Sequence, residues 1–184
     1  MELIQTYFKD LIILKPGIFT DSRGYFYESY NKNVLITNGI EYDFVQDNQS
    51  ESAYGVIRGL HYQSEPFAQA KLVRVVEGDI LDVAVDLREK SPTFGKTYSL
   101  VLSSENKLQL LIPKGFAHGF SVLSTKAVVI YKTDDYYNKE SERGIIYNDT
   151  ELNIDWKIPA SERIVSERDL KLPIFRKAEI NFSL

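Results

Sequence analysis

The clearest regularity along the chain is an alternation of apolar and polar side chains over residues 80–87. Four aliphatic side chains would share one face of an extended strand, at Leu81, Val83, Val85 and Leu87. Asp82 and Asp86 would share the opposite face, because successive side chains of a strand point to opposite sides. The pattern predicts a half-buried strand.

A second segment typical of β-structure comes just before it, over residues 71–76. Glu77-Gly78-Asp79 between the two segments has the residues of a tight turn, which predicts a hairpin with antiparallel pairing. Further short apolar runs follow at 98–102, 108–112, 120–123 and 127–131, each bounded by turn-forming residues. Short strands at this spacing are typical of a sandwich or barrel.

The two ends of the chain are less regular. Residues 31–39 and 161–169 are candidate short helices, the second with Ser166 as a capping residue three positions before Asp169. Residues 21–30 predict a turn followed by an aromatic strand, and residues 170–184 a tail that packs on the surface. With no internal repeat, residues 1–184 are interpreted as one mainly β domain, a jelly-roll barrel with a few short peripheral helices.

Composition narrows the chemistry. The 184 residues include no cysteine and two histidines, so a disulfide framework, a thiolate nucleophile and a thiolate zinc site are excluded, and a reducing cytoplasm is favoured. The net charge of −4 argues against a nucleic-acid partner but leaves room for a small anionic ligand. Residues 1–6 lack the order of a signal peptide, and no apolar run is long enough for a membrane span. We therefore expect a cytoplasmic, unanchored protein.

Both histidines lie in segments that look like turns at strand edges. Gly55 is followed after five residues by His61, and Pro-x-Gly-x-x-His covers residues 113–118. These two motifs resemble those of cupin barrels. Metal-binding cupins have a second histidine two places after the first, where this chain has Gln63, and an asparagine where it has Val122. We therefore expect no metal. A lone histidine is also commonly a structural side chain, and that reading stays open for each.

Polar residues close to His61 in sequence favour a binding site. Arg58 precedes it by three positions, Lys71 opens the next strand, and Gln46-Asp47-Asn48 lies upstream. One mouth of a barrel could gather these cations and amides around a carbonyl or phosphate ligand. Taken singly, Arg58 or Lys71 would be a solvated surface charge.

Seven segments follow one another in chain order between about Ile12 and Asp169. They are Asp21-Ser22-Arg23-Gly24 with Phe26 and Glu28, Phe44-Val45-Gln46-Asp47-Asn48, Arg58-Gly59-Leu60-His61, Lys71-Leu72-Val73-Arg74, Ser91-Pro92-Thr93, Gly115-Phe116-Ala117-His118-Gly119-Phe120 and Tyr131-Lys132. Together they closely resemble the dTDP-4-dehydrorhamnose 3,5-epimerase family. The resemblance implies a cupin-type jelly roll that forms a homodimer. It also implies an isomerase of dTDP-L-rhamnose biosynthesis that uses no cofactor and no metal.

Enzymes of this family invert C3 and C5 on either side of the C4 ketone of dTDP-4-dehydro-6-deoxy-D-glucose, giving dTDP-4-dehydro-L-rhamnose. By resemblance, His61 is the base and Asp169 orients it. Imidazole suits the role because its ordinary pKa lies near neutral pH. Tyr131 corresponds to the acid that protonates the opposite face, and Lys71 to the charge beside the enolate oxygen. Without the resemblance, Tyr131 would be assigned to packing and Asp169 to the surface.

The resemblance also assigns substrate contacts to the remaining site residues. Gln46, Asp47, Asn48 and Arg58 belong to segments that contact the nucleotide and diphosphate, and His118 contacts the sugar or completes the pocket. Arg23 and Glu28 correspond to residues supplied by the neighbouring subunit. Tyr137 corresponds to the aromatic residue that stacks on thymine, although the adjacent Tyr136 could take that role. Glu142 and Arg168 align with further substrate contacts.

Two alternatives remain at this stage. A relative could invert only C3 or only C5 of a related dTDP-keto sugar, or move its ketone, but Tyr131 argues against this because a double epimerase needs an acid on the opposite face. A non-catalytic jelly-roll module could bind a sugar nucleotide without turning it over. The combination of His61, Lys71, Tyr131 and Asp169 argues against that module, since binding alone needs neither an oriented base nor an acid.

Overall fold

The structure is a computed structural model that describes residues 1–183. Within these residues there are fourteen strands, one α-helix and three short 3-10 helices. The strands are β1 Glu2–Gln5, β2 Ile12–Lys15, β3 Phe19–Asp21, β4 Gly24–Phe26, β5 Gln46–Ala53, β6 Val56–Gln63, β7 Lys71–Glu77, β8 Asp79–Asp86, β9 Thr97–Ser103, β10 Gln109–Ile112, β11 Phe116–Val122, β12 Lys126–Thr133, β13 Glu142–Gly144 and β14 Ile164–Val165. The helices are α1 Lys32–Thr37 and 3-10 turns at Ala160–Glu162, Asp169–Lys171 and Phe175–Lys177.

Two sheets form the barrel. The first has the order β1-β2-β10-β7-β12-β5, and the second the order β13-β6-β11-β8-β9, with β14 added in parallel beside β6. All other pairings within the two sheets are antiparallel. Strands β3 and β4 form a separate hairpin, which confirms the turn and aromatic strand predicted there. The predicted mainly β jelly roll with short peripheral helices is confirmed.

The main core lies between the two sheets. Val73 and Leu110 from the first sheet pack in one cluster with Ala84 and Phe120 from the second. The outer faces of both sheets are covered as well. Leu35 of α1 lies against the first sheet, and Trp156 from the C-terminal part lies against the second. A polar site between the two sheets therefore shares the interior of the barrel with the hydrophobic core.

Strand β8 differs from the prediction, because both of its faces are buried rather than one. Its aliphatic face packs outward under the C-terminal segment, and its other face looks into the barrel. Asp82 and Asp86 are each 0% exposed. Asp86 accepts hydrogen bonds from Arg88, Ser91 and Thr93, so partners inside the protein replace water. The polar face of this alternating strand is thus turned toward the interior of the barrel and not toward solvent.

The predicted hairpin between residues 71 and 87 is wrong. Strand β7 pairs with β10 and β12, whereas β8 pairs with β9 and β11, so the two consecutive strands lie in different sheets. Gly78 makes the connection with a φ of +76°, and a Cβ there would collide with the carbonyl oxygen of Lys126. The predicted turn at residues 77–79 is present, but it carries the chain from one sheet to the other.

The C-terminal third also departs from the sequence pattern. Residues 161–169 form no α-helix but a 3-10 turn, strand β14 and the start of another 3-10 turn. The capping contact of Ser166 does occur, since its Oγ accepts from the N–H of Asp169 at 3.1 Å. The predicted surface tail contributes Phe175 and Phe182 to the core; its last residue, Leu184, lies outside the described residues. The predicted helix at 31–39 is confirmed as α1, with the Asn31 side chain as its N-cap.

Candidate active site

The two histidines lie within strands rather than in edge turns, contrary to the sequence prediction. His61 on β6 is directly opposite His118 on β11. The next pair in register is Arg58 with Phe120, so three steps along β6 match two along β11. An extra residue of this kind shifts the side-chain alternation of the strand. The bulge therefore turns both Arg58 and His61 toward the space between the sheets.

Two glycines allow this bulge. Gly59 has a φ of +117°, and a Cβ on it would lie 2.6 Å from the Cα of Gly119. A Cβ on Gly119 would in turn lie 2.7 Å from the carbonyl oxygen of Arg58. The two backbones are therefore closer than any side chain permits. These glycines explain the Arg-Gly-Leu-His and His-Gly-Phe segments of the sequence.

His61 is paired with a buried carboxylate. Its Nε2 lies 2.8 Å from Oδ1 of Asp169, and the other carboxylate oxygen accepts from the N–H of Gly59 at 3.2 Å. Burial alone would raise the pKa of Asp169, but the hydrogen bonds from His61 and Gly59 and the charge of Arg168 hold it below its usual value. Since an ionised carboxylate only accepts hydrogen bonds, Nε2 carries the hydrogen and the free Nδ1 of a neutral ring is the basic atom.

His118 forms a second pair of the same kind, which sequence reasoning did not find. Its Nε2 lies 2.7 Å from Oδ1 of Asp82, which is 0% exposed. The other oxygen of Asp82 is buried without a hydrogen-bond partner in the part of the chain that the structure describes. The sequence carries no clear signal for this pair, because the aspartate face of an alternating strand is as compatible with solvent as with the interior. The pair holds the His118 ring in one orientation at the cavity wall.

Lys71 brings a positive charge into the same interior from the first sheet. Burial lowers its pKa from 10.5 to about 8, and the negative charges of Asp82 and Glu142 oppose that change. Among residues 1–183, no carboxylate oxygen lies within 4 Å of its ammonium group. The cation is therefore desolvated but not neutralised by a direct partner, which suits it to an incoming negative charge.

Tyr131 is on the opposite sheet from His61. It lies in β12, in register with Asn48 of β5 and Val73 of β7. Burial raises the pKa of its phenol; the charge of Arg58 acts against this increase and that of Glu142 adds to it. The hydroxyl thus stays protonated well above neutral pH. A base in one sheet and an acid in the other can address opposite faces of a ligand held between them.

A cavity of about 650 Å³ opens between the two sheets. Eleven of the fourteen site residues predicted from the sequence line it: Gln46, Asn48, Arg58, His61, Lys71, His118, Tyr131, Tyr137, Glu142, Arg168 and Asp169. Gln63 and Gln69 also line it and were not predicted as site residues. Arg58 is held toward β5 by a hydrogen bond from its Nε to Ser52 Oγ at 3.0 Å. The volume is in the range of small-molecule sites.

Three side chains are linked at the mouth of the cavity. The Tyr137 hydroxyl donates to Oε2 of Glu142 at 2.7 Å, and Arg168 Nη2 lies 2.5 Å from the same oxygen. Burial alone would raise the pKa of Glu142, but the hydrogen bonds from Tyr137 and Arg168 bring it below its ordinary value. Tyr137 lines the cavity, whereas Tyr136 does not and is 65% exposed. Of the two candidate aromatic residues, Tyr137 is therefore the one at the site.

Three predicted residues are not brought to the cavity. Asp47 points to the opposite face of β5 from Gln46 and Asn48, because neighbours along a strand alternate, and it binds Lys132 at 2.9 Å. Arg23 lies in the exposed β3–β4 hairpin and pairs with Asp21 at 2.6 Å. Glu28, just beyond the hairpin, accepts from Asn31 Nδ2 at 3.0 Å. Arg23 and Glu28 were expected to serve a neighbouring subunit's site, not their own.

In residues 1–183, no three His, Asp or Glu side chains converge in a way that could hold a metal ion. No helix in that part of the chain is long and apolar enough to cross a membrane.

Comparison with known proteins decides the family. The model of the dTDP-4-dehydrorhamnose 3,5-epimerase family matches residues 5–177. A dTDP-4-dehydrorhamnose 3,5-epimerase of Shigella flexneri is 52% identical over 171 residues, which cover 92% of this chain and 93% of the relative. The chain belongs to the dTDP-4-dehydrorhamnose 3,5-epimerase family.

Solved structures of this epimerase family have the same fold. The dTDP-4-dehydrorhamnose 3,5-epimerase of Elizabethkingia anophelis NUHP1 superimposes with a TM-score of 0.92 at 55% identity, covering 96% of this chain and 97% of that one. A 3,5-epimerase of Legionella pneumophila Philadelphia 1, in complex with dTDP-4-keto-L-rhamnose, has a TM-score of 0.91 at 48% identity, covering 96% and 93%. The family resemblance read from the sequence motifs is confirmed.

Proposed function

We propose that this epimerase inverts C3 and C5 of dTDP-4-dehydro-6-deoxy-D-glucose and releases dTDP-4-dehydro-L-rhamnose, a step of dTDP-L-rhamnose biosynthesis. The observation that carries the proposal is the arrangement of the cavity, with His61 of one sheet, paired with Asp169, facing Tyr131 of the other sheet. Relatives with this name are about half identical to the chain over nearly its whole length. The Legionella relative was solved with dTDP-4-keto-L-rhamnose, the product of this reaction.

The first step is proton removal from the carbon next to the ketone. The C4 carbonyl acidifies the hydrogens at C3 and C5, since the carbanion becomes an enolate. His61 takes the proton on Nδ1, because Nε2 already donates to Asp169. The Asp169 carboxylate stabilises the imidazolium that forms and keeps the ring in one tautomer. One histidine can serve both carbons in turn.

The second requirement is stabilisation of the enolate oxygen. The Lys71 ammonium supplies the charge, and its partly desolvated position strengthens the attraction. His118, held by Asp82, contacts the sugar close to this charge. Because both side chains are in place before the substrate arrives, little reorganisation is needed when negative charge develops on the enolate oxygen.

The last requirement is return of a proton from the other side of the ring. Tyr131 fits this role because it faces the cavity from the opposite sheet and remains protonated at neutral pH. Proton removal by His61 and return by Tyr131 invert the carbon; removal and return by His61 alone would only exchange its hydrogen. Double inversion therefore needs both residues.

The nucleotide half of the substrate is bound nearer the mouth. Arg58 with the amides of Gln46 and Asn48 suits the diphosphate and the nucleoside, and a few local cations suffice despite the net charge of −4. Tyr137 offers a ring to the thymine, and Glu142 and Arg168 close the site beside it. Asp47 lies on the outer face of β5, so it contributes only by tying the strand that carries Gln46 and Asn48 to Lys132 of the neighbouring strand.

We also propose that the enzyme works as a homodimer in the cytoplasm. The β3–β4 hairpin leaves Phe19 and Phe26 each 70% exposed, an unusual apolar surface around Arg23. A second copy of the chain would cover these rings, and Arg23 and Glu28 would then contact the diphosphate end of that copy's substrate. The cysteine-free composition favours a reducing compartment.

The test is incubation with dTDP-4-dehydro-6-deoxy-D-glucose in D2O, followed by NMR. We expect deuterium at both C3 and C5 and the appearance of dTDP-4-dehydro-L-rhamnose. Label at one carbon only would identify a single-centre epimerase. No label with unchanged substrate would identify a binding module. A chelator added before the substrate should leave the rate unchanged, because the cupin metal positions are occupied by Gln63 and Val122.

A further inference from the structure

Gln63 lies where metal-binding cupins have a histidine, and the reaction as proposed does not use it. Its side chain is 5% exposed and lines the cavity wall. The amide is nevertheless fully engaged. Nε2 donates to the carbonyl oxygens of Phe67 at 2.6 Å and Tyr136 at 3.2 Å, and Oε1 accepts from the N–H of Asn138 at 2.7 Å.

Two of these bonds bracket Tyr137. The Tyr136 carbonyl belongs to the peptide before Tyr137, and the Asn138 N–H belongs to the peptide after it. The N–H of Tyr137 itself donates to Oε1 of Gln46 at 3.3 Å. Both peptide planes of Tyr137 are therefore fixed by amide side chains of the barrel. With its backbone fixed, the Tyr137 ring extends to Glu142, where its hydroxyl is bound at 2.7 Å.

Glutamine is suited to this position because it carries donors and an acceptor on one flat group. A glutamate would present a negative oxygen to two carbonyl oxygens, and methionine would satisfy none of the three backbone groups. A neutral histidine has one donor and one acceptor on separate ring atoms and cannot make the same three bonds. The residue in place of the cupin metal ligand therefore makes three backbone hydrogen bonds that a histidine could not make.

We propose that Gln63 is a positioning residue for nucleotide recognition, which fixes the backbone on both sides of Tyr137 so that its ring is ready to stack on the base. The inference rests on the proposed function, which makes the ligand a thymidine diphosphate sugar. It deepens that function by assigning base affinity to a residue that touches the base only through Tyr137. Proton transfer at the sugar is left to His61 and Tyr131.

The test compares two competitive inhibitors of the wild-type enzyme and of Gln63→Met. With dTDP, which carries the base, we expect the inhibition constant to rise roughly tenfold, within the range for loss of one base–aromatic stack. With inorganic pyrophosphate, which lacks the base, we expect no change. KM for the sugar nucleotide should rise in parallel with the dTDP value, while kcat stays within about twofold. A general distortion of the cavity would weaken both inhibitors.

A double-mutant cycle identifies the route of the effect. In a Tyr137→Ala background, Gln63→Met should cause no further loss of dTDP affinity, because the ring that it positions is already gone. Additive losses, or an unchanged dTDP constant in Gln63→Met alone, would overturn the inference. If Gln63→Met does not fold, Gln63→Asn keeps an uncharged amide that is one methylene too short to reach the backbone on both sides of Tyr137, and the same outcomes apply.

Asn106 offers a matched control. Its side-chain amide also ties a loop together, with Oδ1 accepting from Ser103 and Leu108 and Nδ2 donating to Val101, but it does not line the cavity. Asn106→Ala should lower thermal stability and leave both inhibition constants unchanged. The proposed function is judged separately, by product formation in the wild-type enzyme. If the wild-type enzyme forms product and dTDP inhibits Gln63→Met as strongly as it inhibits the wild type, only the inference about Gln63 fails.

Discussion

Replacing Lys71 with methionine should make the enzyme more stable and much less active at neutral pH. Methionine keeps most of the length and apolar volume of the side chain but removes the charge. Burial has lowered the pKa of this lysine from 10.5 to about 8, so the folded protein disfavours the ammonium form that catalysis uses. The substitution removes that cost together with the stabilisation of the enolate.

The size of both effects follows from the structure. The displacement of the pKa from 10.5 to about 8 corresponds to roughly 3 kcal/mol against the charged form. A gain of even about 1 kcal/mol in Lys71→Met would raise Tm by roughly 2–4 °C for a chain of this size. Loss of a pre-placed charge at a developing oxyanion typically lowers kcat by about 10²–10³.

The direction of the stability change in Lys71→Met can also be tested through its pH dependence. Between about pH 8 and 10.5 the unfolded chain keeps the Lys71 proton and the folded protein loses it, so this residue makes stability rise with pH across that window. The stability advantage of Lys71→Met should therefore be present at pH 7 and shrink toward pH 10. In the wild type, kcat/KM should fall as the pH rises through about 8, because the free enzyme loses the ammonium.

The assays are urea unfolding at pH 7 and pH 10 and initial rates across the same range. Lys71→Arg is the matched control, because it keeps a charge that does not titrate in this range and should remove the alkaline fall in kcat/KM near pH 8. Near-normal turnover by Lys71→Met, or a change in stability that is the same at both pH values, would refute the reasoning about this residue.

Three further substitutions test other parts of the site. Tyr131→Phe should retain exchange of the C3 hydrogen in D2O but give little inverted product by NMR, since only His61 can then return the proton; full inversion would exclude Tyr131 as the acid. Asp169→Asn should lower kcat about 10- to 150-fold by removing a charge-assisted hydrogen bond to His61, and unchanged kcat would mean that the base needs no partner. Gly59→Ala should lower the free energy of unfolding by more than about 2 kcal/mol, because its Cβ would meet Gly119 across the bulge. Gly17→Ala is its control, with no atom within 4 Å of the new Cβ, and equal effects of the two substitutions would contradict the argument.

Strands β7 to β12 could be predicted from the sequence because each shows local β-type apolar segments bounded by turn residues. Strands such as β5, whose sequence has almost no apolar residues, could not. The pairing partners of the predicted strands could not be predicted either. The turn at Gly78 looks the same whether it joins paired strands or carries the chain between sheets, and only packing of the two layers decides this. The buried face of Asp82 was likewise hidden, because a carboxylate satisfied by His118 and one exposed to water look alike in a sequence.

The site residues divide in the same way. Arg58 and His61 could be grouped from their spacing, although the bulge that turns both inward was not foreseen. Asp169 was found only through the family resemblance, since 108 positions separate it from the histidine that it binds. The sequence marks Gln63 only as the residue that stands in place of a cupin metal ligand. Its three contacts are to backbone atoms, which leave no pattern of side-chain types.

The mechanism depends on one base, His61, that removes the proton from both C3 and C5. It is tested most directly by following deuterium incorporation at C3 and C5 of dTDP-4-dehydro-6-deoxy-D-glucose in wild-type enzyme and in His61→Ala. General-base catalysis typically contributes about 10²–10⁴ in rate, so we expect His61→Ala to lose exchange at both carbons while dTDP still binds. Near-normal exchange at either carbon in His61→Ala would contradict the account.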